Sequence, residues 1–237
     1  MSKLLFFRHG QASFGTSNYD MLSNKGGEQS RLLGEYLIAQ SLKFDKIYVG
    51  PLERQKNTFK MVEEVYRKEN MTIPQPIEIN GLAEHHGIEA MKIALPKLEK
   101  ENPYLQSLSK ATLKNPELRL RNKMLAFQYF LGEWAEGKIS IPEIQNWKSF
   151  RKEVKKGLNQ ILSSVGSGQT IGVFSSGGTI SAITAECLGL ASEKAVAELN
   201  FSIRNTSFST FLHTENKFNL LAFNEIPHLK KEMITFI

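Results

Sequence analysis

The segment Arg8-His9-Gly10-Gln11 carries the most chemically informative side chains of the sequence. An imidazole can serve as nucleophile or proton carrier near neutral pH, and the arginine beside it offers a planar fork of donors suited to phosphoryl oxygens. A second segment, Gly50-Pro51-Leu52-Glu53-Arg54, runs into Gln55-Lys56-Asn57-Thr58 and brings another arginine to the start of a helix. A third, Gly81-Leu82-Ala83-Glu84-His85-His86-Gly87, supplies a carboxylate for general acid–base work. A fourth, Phe174-Ser175-Ser176-Gly177-Gly178, sits at a strand-to-helix turn, where backbone N–H groups and the helix dipole favour an anion. Taken singly, each has a plainer reading: a core histidine, a surface arginine, a turn that needs two glycines.

The elements around these segments explain why they belong together. Leu4-Leu5-Phe6-Phe7, Ile47-Tyr48-Val49 and Ile171-Gly172-Val173-Phe174 are short apolar runs bounded by turn residues, the pattern of strands buried on both faces of a parallel sheet. Residues 77–79 read as a further strand. Leu32, Leu33, Tyr36 and Leu37 fall on one helical face, as do Phe59, Val62, Val65 and Tyr66, and later Ile180, Ile183 and Cys187. This alternation predicts an α/β fold, a three-layer α/β/α domain with a mainly parallel central sheet. In such sheets ligands bind beyond the carboxyl ends of the strands, where His9 and Arg54 are presented.

From about residue 89 to 165 the pattern changes to two helical stripes, Leu120, Met124, Phe127, Leu131 and Trp134, then Trp147, Phe150, Val154, Leu158 and Ile161. Pro96, Pro103, Pro116 and Pro142 punctuate this stretch, and Gly166-Ser167-Gly168 returns the chain to the sheet. It reads as an inserted helical cap within a single domain spanning residues 1–237. Residues 205–212 and 218–223 predict two final strands joined by a polar turn at Thr214-Glu215-Asn216.

With 237 residues, 41% of them apolar and 23% charged, the chain has ordinary globular composition, which excludes disorder, collagen and coiled coil. No run approaches the roughly 20 apolar residues of a membrane helix, and the first apolar run stops at Arg8, too early for a signal-peptide core. A cytoplasmic protein with no membrane partner is expected. The single cysteine, Cys187, excludes a disulfide framework and a zinc site of paired cysteines, and reads as packing. Thirty Lys and Arg against 24 Asp and Glu give a net charge of +6, spread along the chain. That charge suits a small phosphorylated substrate. No zinc finger, RNP-type signature or basic helix points to nucleic acid.

In order and spacing, the four segments resemble the histidine phosphatase superfamily, also called phosphoglycerate mutase-like, over nearly the whole chain. The resemblance implies that neutral His9 attacks phosphorus in line, forms a phosphohistidine and is released by water. Arg8 and Arg54 match the family's phosphate-clamping arginines, and Glu84 matches the proton donor to the leaving oxygen and later base for water. No metal and no organic cofactor are implied. Ser176 stands where the family carries a second active-site histidine, a replacement shared by one branch of the superfamily. Losing a charged hydrogen bond, worth roughly 1.5–3 kcal/mol, slows chemistry by on the order of ten to a few hundredfold. Ser176 and Gly177 remain expected phosphate binders through the turn. His85, His86 and His213 are the histidines that could fill the gap. Gly15 stands where many members have an asparagine, with Ser13, Ser17 or Asn18 as substitutes.

Glycolytic mutases follow the catalytic glutamate with Arg-His-Tyr-Gly, whereas Glu84 is followed by His85-His86-Gly87-Ile88. The expected activity is therefore a metal-independent phosphatase with a phosphohistidine on His9, reduced or atypical because of Ser176. The alternative is a weak or inactive member that binds phosphorylated ligands with Arg8, Arg54 and Ser176-Gly177-Gly178. A serine hydrolase built on Ser175 is a third reading, but Val173 stands where the G-x-S-x-G elbow needs glycine, and Asp20 and Asp45 both precede the serine. The apolar end Met233-Ile234-Thr235-Phe236-Ile237 fits packing on the body or on a second copy in a homodimer.

Overall fold

A computed structural model describes residues 1–13 and 20–236. Strand β1 (Ser2–Arg8) is central, and its pleat sends Leu4 and Phe6 to one face and Leu5 and Phe7 to the other. Around it the sheet runs β3 (Pro76–Glu78), β2 (Lys46–Val49), β4 (Thr170–Ser175), β1, β5 (Phe208–Thr214), β6 (Lys217–Glu225). β1, β2, β3 and β4 are mutually parallel, and β5 and β6 add an antiparallel hairpin at one edge. Arg8 lies opposite Ser175, and Val49 opposite Phe174. This register is what matters for chemistry, because it sets His9, Gly50 and Ser176 along one edge of the sheet.

Helices α1 (Asn24–Ala39) and α2 (Glu53–Lys68) cover one face, burying Leu33, Leu37, Phe59, Val62 and Tyr66 against Leu5, Phe7, Ile47, Val49 and Phe174. Of the later helices, α3 (Gly87–Glu101), α4 (Pro103–Lys114) and α5 (Arg119–Ala135) pack on one another, while α6 (Trp147–Ser163), α7 (Gly177–Leu188) and α8 (Glu193–Asn200) close the other face. The fold is thus a three-layer α/β/α sandwich with a mainly parallel sheet. Burial of each large apolar side chain here is worth about 1.5–3 kcal/mol.

Two details depart from the sequence reading. Pro96 lies inside α3 and does not end it. Its ring is exposed, so water can take the carbonyl one turn back that its missing N–H leaves unbonded. Residues 205–207 precede β5: the Ser207 carbonyl still accepts from the Arg8 N–H of β1 (2.9 Å), whereas Asn205 and Thr206, the latter in the left-handed region at φ 54°, bind the His9 carbonyl. The C-terminal residues pack on the body: Asn205 N–H donates to the Thr235 carbonyl (2.9 Å), and Gln29 Nε2 donates to the Met233 carbonyl (2.7 Å). Among the described residues no helix is long and apolar enough to cross a membrane.

Candidate active site

His9 leaves the carboxyl end of β1 fully buried and held at both ends of its peptide unit. Its N–H donates to the Ser175 carbonyl (2.9 Å), and its own carbonyl accepts from Asn205 Nδ2 (3.2 Å) and from the Thr206 N–H (3.3 Å). Gly10 N–H donates to Thr58 Oγ1 (2.9 Å), which donates in turn to the Arg54 carbonyl (2.7 Å), so strand end and helix α2 are stitched together. The ring is equally constrained. Nδ1 lies 2.7 Å from the Gly10 carbonyl, which can only accept, and Arg54 Nε, which can only donate, lies 3.1 Å from Nε2. Both contacts select one tautomer, with the proton on Nδ1 and a lone pair on Nε2. Burial foremost, then the charges of Arg54 and Arg8, hold the His9 pKa well below the ordinary imidazole value.

Arg54 occupies the first turn of α2, buried, with Nη1 donating to Asp20 Oδ1 (2.7 Å). The other carboxylate oxygen of Asp20 accepts from the Glu53 N–H (2.9 Å). Arg8 is buried too; its Nη1 donates to the Ile203 carbonyl, and its guanidinium lies beside Gly177. Two guanidiniums thus share a buried region with a neutral imidazole.

Glu84 follows a short 3₁₀ turn, Asn80–Leu82. Its Oε2 accepts from the Gly178 N–H (3.0 Å) and its Oε1 from the His85 N–H (3.0 Å). A Cβ at Gly178 would press on both the Glu84 carboxylate and the packed His85 ring, so a side chain there must displace them. Because Ser175 bonds His9 and Gly178 bonds Glu84, both candidate groups are anchored on the same β4–α7 turn.

Ser176 caps α7 in extended conformation (φ −121°) without a side-chain cap bond. Its Oγ, completely buried, accepts from Gln55 Nε2 (2.8 Å), which also donates to the Leu82 carbonyl (2.9 Å). The hydroxyl therefore has an O–H to give but no charge. Gly177 opens α7 between Arg8 and Asn200. Ser175 Oγ donates to the Leu82 carbonyl (2.9 Å), a partner that cannot remove its proton, so the serine hydrolase reading loses its base.

The three histidines expected as substitutes for the missing one separate cleanly. His85 turns inward among aromatic rings and is buried, and His86 is exposed. His213 pairs across from Ser2, at the opposite end of β1 from His9, and so lies about 20 Å from it at 3.3 Å per residue. Only His85 is within reach of the site. Gly15, Ser17 and Asn18 lie outside the described residues, and the Ser13 N–H donates to the Met21 carbonyl (2.8 Å). Sequence reading missed the site contacts of Asp20, Gln55 and Asn205. Gln55, directly after Arg54 in a segment already singled out, was the one with a usable signal. Among the described residues no group of three His, Cys, Asp or Glu side chains is arranged to hold a metal ion.

Comparison with known proteins adds an independent line. The family model for the histidine phosphatase superfamily (branch 1) matches residues 4–106 and 121–226. No curated protein matches the chain. Among solved structures, YhfR from Bacillus stearothermophilus is similar with a TM-score of 0.67 at 15% identity, covering 97% of this chain and 100% of that one. A mutant phosphoserine phosphatase from Entamoeba histolytica, in complex with phosphoserine, gives 0.62 at 18% identity over 97% and 100% of the two chains. A phosphoglycerate mutase from Bacillus anthracis gives 0.62 at 17% identity over 96% and 94%. At these identities the likeness establishes a shared fold.

Proposed function

The chain belongs to the histidine phosphatase superfamily, branch 1, and from that membership we propose that it is a metal-independent phosphatase hydrolysing a small phosphomonoester through a phosphohistidine on His9. The observation that carries this reading is the tautomer of His9: a lone pair on Nε2, kept unprotonated, beside two buried guanidiniums. In the first step the Nε2–P bond forms as the bond from phosphorus to the ester oxygen breaks, and Glu84 delivers a proton to that oxygen. Arg8 and Arg54 neutralise the equatorial phosphoryl oxygens with donors already in place. In the second step Glu84 takes a proton from water, whose oxygen attacks phosphorus and releases His9. Ser176 and the Gly177 turn border the phosphoryl site, the hydroxyl offering a neutral donor where a charged imidazole is usual.

Phosphatase is favoured over mutase by the two residues directly after Glu84. His85 is buried among aromatics and His86 points to solvent, so neither supplies the guanidinium that mutases direct at a substrate carboxylate. In this reading residues 89–165, whose last helix α6 also covers the sheet, cap a single domain and set substrate choice, and the lone unpaired Cys187 suits the cytoplasm. A second reading, a binding protein for phosphorylated ligands with little turnover, is favoured by one observation: Ser176 is tied to Gln55.

Hydrolysis of an aryl phosphate in the presence of chelator, with His9→Ala as the blank, separates the two. Turnover and a trapped phosphohistidine, both absent from the variant, support the phosphatase; phosphate binding without either supports the binding protein.

A further inference from the structure

Among the described residues, His85 is a buried ionisable side chain beside the site to which the steps above assign no task. Its Nδ1 accepts from the Gly87 N–H (3.0 Å), a group that can only donate, so in the neutral ring the proton resides on Nε2. That Nε2–H is fully buried and makes no hydrogen bond, an arrangement that is costly unless something calls on it. Nε2 lies 3.5 Å from Glu84 Oε1. The ring cannot retreat, because Trp134 from α5 and Trp147 and Phe150 from α6 surround it with ring centroids 6.1, 5.5 and 5.5 Å away. Nor can a side chain at Gly87 coexist with it, since a Cβ there would lie 2.7 Å from Nδ1.

We infer that His85 is a positioning residue for Glu84: its locked, neutral Nε2–H is held ready to donate to Oε1 and keeps the carboxylate aimed at the leaving oxygen. This rests on the proposed role of Glu84 in proton transfer. It also gives a job to a histidine in a chain whose second active-site histidine is replaced by Ser176. Donation strengthens as the carboxylate gains charge, because a charged acceptor draws the donor closer. Neutrality of the ring is maintained by its surroundings. Burial pushes the His85 pKa down, and Arg54 on α2 and the neighbouring His86 act in the same sense, against the upward pull of Glu84 and of Glu89 on α3. The packed faces of α5 and α6 present aromatic rings, and α7 presents the Gly178 N–H, already bonded to Oε2.

Two near-isosteric variants separate positioning from mere packing. His85→Asn can keep the acceptor for the Gly87 N–H while removing the donor that faces Glu84. His85→Gln does the reverse, carrying an amide N–H at the Nε2 position. The Glu84 carboxyl carbon, labelled with ¹³C and assigned by its loss in Glu84→Gln, is titrated by NMR, which needs no turnover. The expected result is a midpoint raised by about one unit in His85→Asn and returned close to wild type in His85→Gln. A pH–rate limb moving the same way, with kcat lowered about tenfold and KM little changed in His85→Asn only, would accompany it. In the unaltered protein, the ¹⁵N signal of His85 Nε2 must follow the Glu84 titration and lose that step in Glu84→Gln. If that signal ignores Glu84, or if both substitutions shift the midpoint alike, the inference is overturned. Loss of the phosphatase reading shows itself separately, as absence of His9-dependent turnover with these spectroscopic couplings intact.

Discussion

A histidine that attacks phosphorus must carry a lone pair at the working pH, and His9 achieves this by position. Its pKa is depressed by burial and by two guanidiniums, so the phosphorylation step should stay constant as pH falls through the range where an exposed imidazole titrates. Rapid-quench measurement of phosphohistidine formation between pH 7 and 5.5 checks this; a decline with a midpoint near 6.5 contradicts it. Asp20 holds Arg54 through a 2.7 Å charged bond. Asp20→Asn removes the charge that fixes the guanidinium, and phosphate affinity and kcat/KM should fall by about tenfold, with folding stability nearly unchanged. At Gly178 the outcome is steric. Gly178→Ala puts a methyl into Glu84 and His85, with contacts of 2.2 and 2.5 Å, and should cost at least a hundredfold in turnover while leaving equilibrium phosphate binding within a few fold.

The elements that carry these residues are largely legible in the amino-acid sequence. Apolar runs of four residues followed by Arg-His or by two serines and two glycines mark β1 and β4, and the parallel register agrees with burial on both faces. Less visible are contacts made by residues whose partners lie far along the chain: Asp20 with Arg54, Gln55 with Ser176, Asn205 with His9. Spacing within a segment cannot reveal which side chain from another segment fills a gap. The same holds for α6, whose amphipathic stripe is plain but whose polar ties are not. Arg151 bridges Glu186 on α7 and Glu193 on α8, each at 2.9 Å, and Trp147 Nε1 donates to Glu193 (2.7 Å). Arg151→Leu should therefore lower unfolding free energy by about 1–3 kcal/mol, read from the urea midpoint. Because Trp147 also walls in His85, the same variant should loosen that ring.

For the molecule as a whole, buried neutral histidines make stability depend on pH in a defined direction. His228, bonded to Thr206 Oγ1, has its pKa pushed down to about 4 by burial, and His9 and His85 shift the same way. Below about pH 6.5 the unfolded chain binds protons that the folded one refuses, so stability is greatest above 6.5 and declines as pH falls toward the folded-state values. His228 alone accounts for up to about 3 kcal/mol of that decline by pH 4. Urea midpoints measured between pH 7.5 and 5 should fall steadily, and less steeply in His228→Gln.

The final residues are tied to the nucleophile through a short relay. Thr235 Oγ1 donates to Asn205 Oδ1 (2.8 Å), and Asn205 Nδ2 holds the His9 carbonyl. Ser2, by contrast, begins β1 at the far end of the sheet. The two sites are therefore not equivalent: replacing Thr235 loosens Asn205 and with it one of the two bonds on the His9 carbonyl, whereas a change at Ser2 acts about 20 Å away at the opposite end of β1.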